Sequence, residues 1–177
     1  MGTVPGIEEI IRPYRNGKDL TSKPRGVFAI DLFGLTDKDL LSKHPLLYQH
    51  LLETVKPGRD ENPRKSRREK WWLFAENQPA MRRAIQGLNS YIATVQTSKH
   101  CIFYRLKSEI LPDDKLIAIG LDDAYYLGVL SSQTHTIWAL ATGGRMGVGN
   151  DPVYDKTRCF DPFPFPDATP AQQARIR

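Results

Sequence analysis

Cysteine is nearly absent: Cys101 and Cys159 are the two in 177 residues, and no CxxC spacing occurs. A disulfide framework and a zinc knuckle are thereby excluded. No apolar run approaches the length of a membrane span, and the opening "MGTVPGIEEIIRPY" lacks the basic-then-apolar order of a signal peptide. These absences lead to the expectation of a soluble chain in a reducing cytoplasm. His44, His50, His100 and His135 have no metal-ligand spacing, and no Ser/His/Asp or Cys/His grouping stands out. No internal repeat or low-complexity tract is present.

What is present is an ordinary globular composition, 40% hydrophobic and 25% charged, in a chain long enough to bury a core. Twenty-five basic residues against 20 acidic ones give +5, a mild tilt toward polyanionic partners. The excess is concentrated: "KPGRDENPRKSRREK" (56–70) holds seven basic and three acidic residues, a local +4. It runs into "WWLFAE", where Trp71, Trp72 and Phe74 are expected in a core rather than on a base-stacking platform. The run itself reads equally well as a phosphate-binding segment and as a solvated loop.

The coarse pattern mixes helices and strands. "GVFAIDLF" (26–33) reads as a strand that encloses Asp31 and ends at Gly34. Thr36 caps a helical pattern with acids in its first turn, and Pro45 should split it in two. "QPAMRRAIQGL" reads as a short helix ended by Gly87, "SYIATV" and "CIFYRL" as two strands, and "KLIAIGL" as another after the turn-forming "LPDD". "DDAYYLGVLSSQTHTIWALATGG" should be one helix or a pair, stopped by two glycines. "ATPAQQARIR" looks like a helix start, with Thr169 as N-cap and Pro170 in the first turn; a piece cut from a longer protein is expected.

The most unusual stretch is "GGRMGVGNDPVYDKTRCFDPFPFP" (143–166), with four glycines and four prolines. "GVGN" contains a GxG, but a phosphate cradle follows a strand and opens a helix, whereas this one follows a helix. "DPFPFP" and "NDPV" approach the [DNS]PP[YF] motif of amino-methyltransferases without its double proline, so methyl transfer by this chain is not expected. "PDDK", with Pro112, Asp113 and Lys115, offers nuclease-like carboxylates on a predicted turn, with no matching upstream acid. Binding remains. Basic residues could neutralise phosphates, and the glycine-rich loop could bring donors and acceptors to base edges.

Several long stretches, in order, carry a family resemblance. They are "IIRPYRNGKDLTSKPRGVFAIDLFGL", "YQHLLETVKPGRDENPRKSRREKWWLFAE", "SYIATV", "DDAYYLGVLSSQTHTIWAL" and above all "GVGNDPVYDKTRCFDPFPFP". Together they resemble, over residues 10–168, the target-recognition domain of MmeI-like DNA N6-adenine methyltransferases and Type IIL restriction-modification enzymes. The resemblance implies an α+β fold with a curved mixed or antiparallel sheet flanked by helices, similar to Type I specificity subunits. It implies a DNA recognition domain over 1–168, followed by the start of a truncated helix over 169–177. Its partners would be double-stranded DNA and the methyltransferase domain of a prokaryotic parent. That parent would use S-adenosylmethionine, with Mg2+ where an endonuclease is fused, and this chain alone would hold no cofactor and be inactive.

Carried over on Tyr154 and the terminal "FPFP", the base-reading positions fall on Gly149, Asp151 and Val153. Arg145, Asn150, Asp155, Lys156 and Arg158 join them by chemistry: Asp151 could accept from a cytosine amine, and Arg145 or Arg158 could donate to guanine. Asp151 reads equally well as a cap on the turn before Pro152. Gly149 and Val153 offer no bidentate contact. Phosphate contacts are expected from Arg15, Lys18 and Arg25 near the start and from Arg59, Arg64, Lys65, Arg67, Arg68 and Lys70 in the basic run. The alternative class is an interaction module that packs on its own methyltransferase domain with little DNA affinity.

Overall fold

A computed structural model describes residues 6–177; the first five, with which the expected recognition domain begins, lie outside the described range. In chain order the elements are β1 (Ile11–Arg15), α1 (Gly17–Thr21), β2 (Phe28–Ile30), α2 (Asp37–Lys43), α3 (Pro45–Thr54), α4 (Lys56–Asp60), α5 (Lys65–Glu69) and α6 (Pro79–Ile85). There follow β3 (Ser90–Val95), β4 (Phe103–Lys107), β5 (Leu111–Pro112), β6 (Leu116–Ile119), α7 (Ala124–Leu130), α8 (Gln133–Thr142), β7 (Gly144–Met146), β8 (Asp151–Val153) and α9 (Pro170–Ala174). The class is α+β, as expected, with the strands divided among small sheets. The described residues form two compact units, 6–13 with Phe28–Gln78, and Tyr14–Val27 with Pro79–Arg177. No helix among the described residues is long and apolar enough to cross a membrane.

In the first unit Ile11, Arg12 and Pro13 pair antiparallel with Ile30, Ala29 and Phe28. The expected strand over 26–33 is shortened to three residues. The Asp31 amide still donates to the Ile10 carbonyl at 2.7 Å, but its buried carboxylate turns to Arg12, 3.6 Å away, and accepts from the Phe33 amide at 3.3 Å, which turns the chain out of the ladder. Thr36 and Asp39 form a reciprocal capping box, and Pro45 opens α3, both as the sequence indicates. Leu40, Ile10 and Leu32 form the core, with Leu47, Leu51 and Trp72 packed against it. Trp71 is buried edge-on to Tyr48, and the Trp72 indole donates to the Leu35 carbonyl at 3.0 Å. Both tryptophans are therefore structural; Phe74 stays exposed.

The second unit is built on β3, antiparallel to β4 on one edge and β6 on the other. β3 is buried on both faces, because Tyr91 and Ala93 meet α6 residue Ile85 while Ile92 meets Leu130, Ala139 and Tyr154. A strand covered by helices on both sides reads as a continuous apolar run rather than an alternating one. The "LPDD" turn also contains a two-residue strand, since Leu111 and Pro112 pair parallel with Tyr14 and Arg15. Asp123 and Ser132 cap α7 and α8, confirming a helix pair. Thr169 caps α9, with Pro170 in its first turn.

Candidate nucleic-acid interface

The glycine-rich stretch is not an irregular loop. Gly144, Arg145 and Met146 pair antiparallel with Val153, Pro152 and Asp151, making a two-stranded ribbon. A turn over Gly147–Asn150 closes it, with the Asn150 amide donating to the Gly147 carbonyl at 3.0 Å. Gly147 has φ 79° and Asn150 φ 51°, left-handed values that glycine and asparagine tolerate best. Pro152 is harmless in this strand: its carbonyl accepts from the Ser98 amide at 3.2 Å, so its nitrogen also faces away from β7. Val153 bridges Thr97, and the Tyr154 amide donates to the Gln96 carbonyl at 2.7 Å, which ties the ribbon's base to the main sheet.

Under the ribbon lies a polar pair inside an aromatic core. His135 is fully buried, with Nδ1 2.9 Å from the Leu130 carbonyl and Nε2 3.2 Å from the Tyr154 hydroxyl. A carbonyl only accepts, so Nδ1 carries the hydrogen and Nε2 accepts from Tyr154. Burial lowers the His135 pKa, and burial likewise raises that of Tyr154. Phe103 packs edge-on to Tyr154 at 5.3 Å, and Phe163 packs on His135 at 4.5 Å. The rigid "DPFPFP" thus anchors what precedes it. Tyr154→Phe is expected to strand the imidazole nitrogen and cost about 1–3 kcal/mol in thermal or urea unfolding. Because the folded His135 pKa is depressed, the unfolded state protonates first, and wild-type stability should fall as pH drops below about 6.5.

The expected base-reading residues fall into two groups. Arg145, Asn150 and Asp151 sit on the ribbon, and Arg158 lies beside Gly144. Arg145 makes one long 3.4 Å contact to the Asn150 carbonyl, and among the described residues no hydrogen-bond or ion-pair partner holds the Asp151 carboxylate or the Arg158 guanidinium. Asp151 is thus not spent on a cap. Gly149 adjoins it: a Cβ there would lie 3.4 Å from the Asp151 carboxylate.

The remaining candidates are engaged. Asp155 caps the single π-type turn Lys156–Phe160, its Oδ1 accepting from the Thr157 amide at 2.9 Å, the Thr157 hydroxyl at 2.7 Å and the Arg158 amide at 3.1 Å. These bonds, the Thr157 hydroxyl's first, lower its pKa. Lys156 pairs with Asp161 at 3.1 Å. Val153 serves through its backbone. Sequence reasoning passed over Met146 and Val148, apolar side chains exposed at the ribbon's end; the signal was their place beside turn glycines.

The expected phosphate-binding residues also divide. The basic run is two short helices rather than a loop. Arg59 donates to the Leu73 carbonyl at 3.1 Å and Arg68 to the Asn62 and Pro63 carbonyls at 2.7 and 3.0 Å, which bends the chain without neutralising either charge. Arg64 and Arg67 share Glu76, and Lys65 lies 3.5 Å from Glu69, all exposed pairs that DNA could replace at little cost. Lys18 and Lys70 are exposed. Arg15 donates to the Tyr14 carbonyl, and Arg25 is clamped on buried Asp19 at 2.8 and 2.9 Å. In the "PDDK" turn Asp113 accepts from the Tyr14 hydroxyl and the Lys115 amide.

The family model of the MmeI target recognition domain matches residues 3–167. The chain belongs to the MmeI target recognition domain family. Among solved structures it is similar to the Type IIL restriction-modification enzyme MmeI in complex with DNA, with a TM-score of 0.69 and 16% sequence identity. That likeness covers 96% of this chain and 22% of the MmeI chain, and it establishes the fold. No curated protein matches the chain. The ribbon, its turn and the aromatic anchor that holds them all lie within the matched target recognition domain.

Proposed function

We propose that the chain recognises a specific sequence in double-stranded DNA through the ribbon Gly144–Val153. The observation that carries this reading is a firmly seated ribbon whose polar side chains are uncommitted, in a chain of the MmeI target recognition domain family. Asp155 is held by the turn it caps and Lys156 pairs with Asp161 on the surface, whereas Arg145, Asn150, Asp151 and Arg158 keep their hydrogen-bonding capacity. Arginine suits guanine O6 and N7, asparagine suits adenine N6 and N7, and aspartate accepts from cytosine N4. Phosphate contacts come from Lys18, Arg64, Lys65, Arg67 and Lys70, which hold position without reading sequence. In the parent protein, S-adenosylmethionine and adenine-N6 methyl transfer belong to a separate methyltransferase domain, Mg2+ to a fused endonuclease, and the setting is a prokaryotic cytoplasm.

Electrophoretic mobility shifts with the 177-residue chain test this, using a randomised duplex pool at several salt concentrations. The pool should yield an enriched consensus. Arg64, Lys65, Arg67 and Arg68 changed together to Ala should weaken binding to all sequences alike and reduce the salt slope by about 3. Circular dichroism controls for the two carbonyls that Arg68 releases. An unchanged slope would remove the basic run from the interface.

A second reading has its own observation. Ile11, Pro13, Phe28 and Ile30 share one face of the β1/β2 pairing, and Phe28 is 65% exposed. An apolar strand face suits packing on the parent's methyltransferase domain. That reading replaces the first if the chain shifts no duplex at low salt.

A further inference from the structure

The polar side chains on the ribbon cover guanine, adenine and cytosine, whose major-groove edges are read by hydrogen bonds. Thymine presents an O4 acceptor and, alone among the four bases, a C5 methyl group, which an apolar side chain recognises by contact. The ribbon supplies one. Val148 stands at the middle of the Gly147–Asn150 turn, fully exposed, and Met146 beside it is 60% exposed. Among the described residues none covers Val148, and Met146 is covered only in part. A fully exposed valine at the projecting end of a ribbon gains nothing for folding, so its apolar character must be used elsewhere or not at all.

Three features fit that use to DNA. The major groove, about 12 Å wide, admits a two-stranded ribbon, and the turn is the part that reaches its floor. Valine's branched Cβ restricts χ1, so little rotamer freedom is lost when it meets a methyl group. The flanking glycines carry no side chain that would hold the ribbon away from the bases, and an added Cβ at Gly147 would meet nothing within 4 Å, so the approach is open.

We infer that Val148 reads a thymine methyl group in the recognised duplex, as the apolar member of a reading set otherwise made of Arg145, Asn150, Asp151 and Arg158. The inference rests on the DNA-recognition reading above. It makes the C5 methyl of one thymine, rather than the thymine carbonyl, the discriminating feature. Val148 acts by contact alone, so its loss should leave the salt dependence unchanged.

The test presents the chain and its Val148→Ala variant with two randomised duplex pools, one containing thymine and one containing deoxyuridine in its place. The pools differ only in the C5 methyl group. The wild-type chain should enrich a consensus with thymine at one position, and preference there should fall about three- to tenfold in the deoxyuridine pool. Val148→Ala should enrich the same consensus without that thymine preference and make no distinction between pools; Val148→Ile should restore it. An identical consensus enriched equally from both pools by the wild-type chain overturns the inference alone. So does a Val148→Ala variant that keeps the thymine-over-uracil difference. Failure to enrich any consensus from either pool overturns the recognition reading, and the inference with it.

Discussion

Gly143→Ala should lower stability by about 3 kcal/mol, a fall in Tm of about 6–12 °C for a chain of this size, and unseat the ribbon. The glycine is not needed for a left-handed turn: its φ is −70° and its ψ 173°, extended values open to any residue. It is needed because the chain passes through a crowded place. A Cβ there would lie 2.5 Å from the Val153 carbonyl oxygen, 2.7 Å from the Ala139 carbonyl oxygen and 3.2 Å from the Cys159 sulfur. Two of those atoms are backbone, one ending α8 and one in β8, so neither can swing aside as a flexible side chain would. The ribbon must shift away from the helix, and the registry Gly144↔Val153 is the first pairing to suffer. Gly149→Ala is the matched control, because its Cβ would meet only the Asp151 carboxylate at 3.4 Å. Differential scanning calorimetry and duplex binding together decide the matter. A Gly143→Ala chain with wild-type Tm would show that the ribbon is free to move and is not anchored as described.

That glycine also shows where sequence reasoning reached its limit. "ATGG" reads as a helix stop, and α8 does stop there, but what makes glycine necessary at 143 is crowding by residues ten and sixteen positions later, which no local pattern contains. Where the cause is local, the pattern succeeds: Thr36 with Asp39, Pro45 at the start of α3, and Gly87 after α6 each act within one helical turn. The ribbon was hidden for a related reason. Its strands are three residues each, Pro152 demotes the second on general grounds, and only the unseen 96–98 segment shows that the proline faces the tolerant side. The basic run failed differently, since five-residue helices carry too little periodicity to register. Of the reading set, the family resemblance nominated Asp151, and chemistry nominated Arg145, Asn150 and Arg158. Separating them from Asp155 and Lys156 required knowing which side chains fold upon their neighbours, and Val148 required knowing that no described residue covers it.

Arg25 and Asp19 give the sharpest separation between a charge that holds the fold and one that meets DNA. Asp19 is 3% exposed and accepts from Arg25 three times, through Nε at 2.9 Å, Nη2 at 2.8 Å and the backbone amide at 3.0 Å, and once from the Asn16 amide at 3.0 Å. The guanidinium bonds are the main reason its pKa is held well below the ordinary carboxylate range, against the opposing pull of burial. Asp19→Ala removes the α1 capping box together with this clamp, and about 3 kcal/mol of stability should go with it at neutral pH. A depressed folded pKa means that the contribution is complete above about pH 4 and is lost as pH falls through the folded value. Wild type and Asp19→Ala should therefore converge in stability under strongly acidic conditions. Arg25→Ala should raise the Asp19 pKa and shift the acid limb of the stability profile upward. Its effect on DNA is the decisive measurement: a guanidinium already bound twice to a buried carboxylate has its charge compensated, so the salt slope of binding should match wild type. A slope smaller by about 1 would mean that Arg25 releases counterions from a phosphate despite its internal partner, and would return it to the DNA contacts.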